Sequence, residues 1–235
     1  MTPRSLTALA LASAFALAAC NDDSSTNPQN QTAQVRFINA MSGTNNLSVS
    51  AGSTSIGSSL TFGQFNSTCA SVPISSPGLT FTSGTTSLST SGFNPGFVNG
   101  GKYTVIVSGT PSSPVYTVIR TDQTTPTSGQ TGLRFANLSG GANALDVYVA
   151  QSGNAFGTTA SVTNVGNGAV STFFNVTPGN VLFRFNPTGT TTNAVYTTPN
   201  GSPVALTANT VQTIGLAPNA SGSGTPRFFN VAACS

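Results

Sequence analysis

Few residues in this chain are equipped for acid–base or nucleophilic chemistry. Its 235 residues include no His, four acidic residues and seven basic ones. The acids are all Asp: Asp22, Asp23, Asp122 and Asp146. Without imidazole there is no Ser–His–Asp triad and no His-ligated metal. A glycosidase pair needs two carboxylates about 5–10 Å apart. Asp146 is the only acid inside a predicted strand, so such a pair is not expected. A Ser–Lys pair would require Lys102, the only lysine. Lys102 sits beside a predicted strand and reads as a solvated edge charge. No Asp-x-Asp spacing offers the carboxylates that Ca²⁺ favours. The expectation is a non-enzymatic chain with no metal and no cofactor.

The three cysteines carry the remaining chemistry. Leu17-Ala18-Ala19-Cys20 follows a basic start at Arg4 and an apolar run from Leu6 to Ala16. This stretch resembles a bacterial lipoprotein signal peptide with its lipobox. The apolar run is too short to span a bilayer, which takes roughly 20 residues. Residues 1–19 are then the signal, and the mature chain begins at a lipidated Cys20. The competing reading is an ordinary secretory signal cut after Ala19. One acyl chain holds a protein only marginally; bacterial lipoproteins carry two or three. Residues 20–32 read as a flexible tether, with a reach of about 20 Å by coil scaling. The expected location is the cell envelope, the outer membrane favoured over the inner. Cys69 and Cys234 remain, and in an oxidising compartment an even remainder predicts one disulfide. Two buried free thiols are the alternative.

Charged residues make up 5% of the chain, against about 25% in ordinary globular proteins. Basic residues are scattered singly, so the stripe that nucleic acid requires is missing. Low charge raises the question of disorder, but disordered chains lack aromatic and β-branched residues. Here there are 15 Phe, and Val and Ile recur in alternating runs. Period-two alternation is the strand signature. Tyr103, Val105 and Val107 share one face; Leu145, Val147 and Val149 share another. Gly, Pro, Asn and Ser clusters punctuate these runs, as turns require.

The runs also repeat. Val35-Arg36-Phe37-Ile38-Asn39 recurs as Leu133-Arg134-Phe135-Ala136-Asn137, and Leu47-Ser48-Val49 as Leu145-Asp146-Val147. Pro77 to Phe81 resembles Pro178 to Phe183, and Tyr103 to Val107 resembles Val211 to Ile214. Val115 to Ile119 stands where Arg227 to Val231 stands later. The order predicts a tandem duplication: one all-β sandwich at 33–121, a linker at 122–131, and a second sandwich at 132–235.

The repeat resembles the DUF4397 family, a domain of unknown function. Its opening strand is similar to Val35-Arg36-Phe37-Ile38-Asn39-Ala40. Its Leu-x-Val-Tyr-Val element matches Leu145-Asp146-Val147-Tyr148-Val149. Its Gly-x-Tyr-Thr-Val-x-Val element matches Gly101 to Val107. The resemblance implies two immunoglobulin-like sandwiches and no catalytic residues.

Asp146 and Arg134 fall on consecutive predicted strands and are expected to form a surface pair. Phe173-Phe174 and Phe228-Phe229 each place one ring outward if they lie on strands. Those rings are the expected contact surface, between the two sandwiches or with a partner. Tyr116, Tyr148 and Tyr196 are conceivable sugar platforms. The expected role is interaction, adhesion or structure at the envelope, with a protein partner. A glycan- or cell-wall-binding module is the alternative.

Overall fold

Val, Ile and Phe at alternate positions, broken by turn residues, build an all-β protein. The computed structural model describes residues 31–43, 46–75, 77–122, 125–140, 143–198, 202–218, 226–231 and 234. The lipobox, Cys20, Asp22 and Asp23 lie outside the described residues. Among the described residues there is no helix.

Four sheets divide the strands. In the first, β4 (Ala70–Pro73), β1 (Thr32–Met41), β7 (Lys102–Thr110) and β8 (Ser113–Arg120) lie in that order. In the second the order is β3 (Thr54–Leu60), β2 (Leu47–Ala51), β5 (Leu79–Ser83) and β6 (Thr86–Ser87). The third sheet contains β12 (Phe174–Val176), β9 (Thr131–Asn137), β16 (Val211–Ala217) and β17 (Arg227–Val231). The fourth contains β11 (Val162–Val165), β10 (Leu145–Gln151), β13 (Gly179–Pro187) and β14 (Tyr196–Thr197), with β15 (Val204–Leu206) also on β13. The repeated segments fall on corresponding strands: β1 and β9, β2 and β10, β5 and β13, β7 and β16, β8 and β17. In both inner sheets the first strand pairs in parallel with a late one, β1 with β7 and β9 with β16.

Inward-facing positions of the first and second sheets form one core around Val35, Phe37, Leu47, Val49, Phe81 and Val105. The third and fourth sheets enclose another around Leu133, Phe135, Val147, Phe183, Phe185 and Ile214. Rings dominate both: Phe135 meets Phe183 and Phe185 edge-on at 5.3 and 5.6 Å, the preferred aromatic geometry.

A third cluster joins the halves. Ile38, Ala40, Ile106 and Ile119 of the first sheet pack with Ala136, Ala217 and Val231 of the third. Side chains alternate across a strand, so these are the opposite faces of the sheets that line the two cores. The two inner sheets are therefore covered on both faces, and the molecule is a stack of four β-layers. Covalent closure adds to this: Cys69, just before β4, is joined to Cys234, beyond β17.

Close packing at the shared face needs small residues. Gly215 of β16 faces it, opposite Phe229 of β17. A Cβ built on Gly215 would lie 2.4 Å from the Phe229 ring, inside any tolerable contact. Gly215→Ala is expected to lower stability by about 1–3 kcal/mol, the cost of overpacking a tight site. Urea unfolding measures it, and a change under about 0.5 kcal/mol, the size of a neutral surface substitution, would show that the ring yields freely.

Candidate functional site

The residues singled out by type separate in space. Arg134 and Asp146 do not pair. Consecutive strands β9 and β10 belong to different sheets, because the chain crosses the sandwich between them rather than turning back as a hairpin. Asp146 is 5% exposed. Its carboxylate accepts the backbone amides of Asn164 at 2.8 Å and Gly189 at 2.9 Å. It latches two loops onto β10, and buried polar groups are normally satisfied in this way.

Arg134 instead clasps the two halves. Its Nη2 donates to the Arg120 carbonyl at 2.6 Å, and its Nε to Thr213 Oγ1 at 2.9 Å. The guanidinium lies 4.2 Å from the Phe173 ring centre, within cation–π range. Burial pushes its pKa down to about 10, so it stays charged at neutral pH. Arg120 itself donates to Asp122 at 2.7 Å, and that hydrogen bond holds the Asp122 carboxyl below the usual range. Lys102 opens β7, and its backbone amide donates to the same carboxylate at 3.3 Å.

The four contact aromatics are half-buried. Phe174 stacks on Phe135 at 5.9 Å, and Phe228 on Phe183 at 5.5 Å, both against the second core. Phe229 packs into the cluster shared by the halves. Phe173 carries Arg134. Tyr148 is buried beneath Arg184. Tyr196 stacks on Phe228, and Tyr116 lies against Phe81 and Phe93. Burial raises the phenol pKa of both Tyr116 and Tyr196.

A surface absent from the sequence reading lies elsewhere. Phe65 is 42% exposed and borders a groove of about 400 Å³ between β3 and residues 65–68. Arg36 stacks 5.1 Å from one face of its ring. The signal was available: Phe65 stands alone in Gly63-Gln64-Phe65-Asn66-Ser67, with no alternating apolar partner. Among the described residues no group of three or more His, Cys, Asp or Glu gathers as metal ligands would.

Stacked antiparallel and mixed sheets, with aromatic cores between them, define an all-β sandwich protein. Residues 33–148, from within β1 to within β10, match the family described as Domain of unknown function (DUF4397). No curated protein matches the chain.

Proposed function

We propose that this chain is an envelope lipoprotein, held by acyl groups on Cys20, whose body acts by presenting surface rather than by catalysis. The observation that carries this reading is the pairing of Cys69 with Cys234. Structural disulfides persist in oxidising compartments. The pair also uses two of the three cysteines and leaves Cys20 as the thiol for lipid. The matching strand orders and the recurring Arg-Phe-x-Asn support two copies of one duplicated module. Two modules clasped through a shared face and a covalent bond make a stiff body on a tether, suited to contacting an envelope protein.

Cell fractionation of Cys20→Ser tests the anchor. The parent chain is expected in the membrane fraction and the variant in the soluble fraction. Equal membrane partitioning of both would overturn the reading.

A further inference from the structure

We infer that the groove beside Phe65 binds a neutral oligosaccharide. The inference goes beyond the anchoring reading and stands without it.

Ser55, Gly57 and Ser58 of β3 form one wall; Phe65, Ser67 and Thr68 form the other. No ionisable side chain lines it. Hydroxyls both donate and accept, which suits a polyol, and the lining carries no charge to pair with an anion or cation. The nearby charge is turned elsewhere, since Arg36 lies on the Phe65 ring and its Nη2 donates to the Ser67 carbonyl at 3.3 Å. One ring face is thus taken by the guanidinium, and the ring, exposed along the groove, can carry the C–H face of a pyranose. A volume of about 400 Å³ falls within the usual range for small-ligand sites.

The aromatic wall of the groove is rigid. Phe65 forms a backbone bridge with Ile38. Asn66 Oδ1 accepts the Phe37 amide at 2.7 Å, and its Nδ2 donates to the Thr68 carbonyl. Cys69 is fixed by its disulfide. The aromatic wall is therefore held at both ends, and a preorganised wall loses little entropy on binding. The second half uses the corresponding bridge differently. There Val170 pairs with Ala136 and packs into the shared cluster, whereas Phe65 turns its ring to solvent.

The groove's strand edge argues against an extended peptide. Among the described residues β3 pairs on one side, but its register against β2 shifts twice and Ser59 is left-handed with φ 52°. A bulged edge offers no continuous ladder for strand addition.

The test is saturation-transfer difference NMR on the detergent-solubilised full chain. The probes are cellotetraose, maltotetraose and chitotetraose, each at about 10 mM, enough to fill roughly nine-tenths of a site with a Kd of about 1 mM. At least one is expected to show transfer. Phe65→Ala is expected to weaken that binding about tenfold or more, the scale of an aromatic anchor. Ser58→Tyr, which fills the groove from an exposed position, is expected to do the same without touching Phe65. Val115→Ala, exposed on β8, should leave binding unchanged. No transfer from any of the three sugars would overturn the inference, as would equal transfer in Phe65→Ala and Ser58→Tyr. Transfer from a Thr-Val-Thr-Val-Thr-Val peptide alone, lost in Ser58→Tyr, would assign the groove to strand addition and overturn it too. The membrane fractionation of Cys20→Ser bears on none of these outcomes.

Discussion

Replacing Cys69 and Cys234 together with alanine is expected to lower the unfolding free energy by about 2–5 kcal/mol. The bond spans a sequence separation of 165 residues. In the chain-entropy account such a long loop sits at the upper end, near 5 kcal/mol, because the unfolded chain loses the most freedom. The native geometry suits the bond, with Cα atoms 5.9 Å apart, inside the normal range. Alanine is the better replacement because Cys234 is buried and a serine hydroxyl there would need a new partner. The bond also carries a local effect. Among the described residues β17 is an edge strand that pairs with β16, and Cys234 lies by β7, with Sγ 3.5 Å from the Tyr103 carbonyl. Amides of β17 should therefore exchange sooner in the variant than those of β16. Urea unfolding and hydrogen exchange measure the two effects. A loss under about 1 kcal/mol, with β17 equally protected, would mean that packing alone holds the C-terminal strand.

Alternation made much of the fold legible. Phe37, Phe81, Phe135, Phe183 and Phe185 fall at alternating positions, and all five are buried. The pairing of Cys69 with Cys234 follows from counting cysteines once Cys20 is set aside. Three things were hidden. Alternation says which side chains share a face, but not what covers the other face. Alternation directs Ile38, Ala40 and Ile106 away from the first core, and there they face the other half. The trace was present, because Phe37-Ile38-Asn39-Ala40-Met41 stops alternating, and near-continuous apolar runs mark strands buried on both faces. The error over Arg134 and Asp146 has a different cause. Adjacency in sequence suggests neighbouring strands, whereas a sandwich sends consecutive strands to opposite sheets. The signal at Phe65 is its isolation among turn residues, which alternation does not register.

The hidden face supplies the second large effect. Ile106→Ala is expected to cost about 2–4 kcal/mol, the range for truncating a fully buried aliphatic side chain. Ile106 lies at the centre of β7, between β1 and β8, and is 0% exposed. Its neighbours Val105 and Val107 point into the first core, so period-two geometry directs Ile106 the other way. In a sandwich standing alone that direction is solvent, and truncation there changes stability by no more than about 0.5 kcal/mol. In the four-layer stack it is the face shared with Ala136, Ala217 and Val231, and the lost methyl groups leave a cavity between two sheets. The same urea experiment therefore separates the two architectures. Val115→Ala provides the reference for an exposed β-branched residue. A cost for Ile106→Ala no greater than for Val115→Ala would mean that the halves are not packed through this face. A cost several times larger, with one cooperative transition, would mean that the inner sheets unfold as a unit.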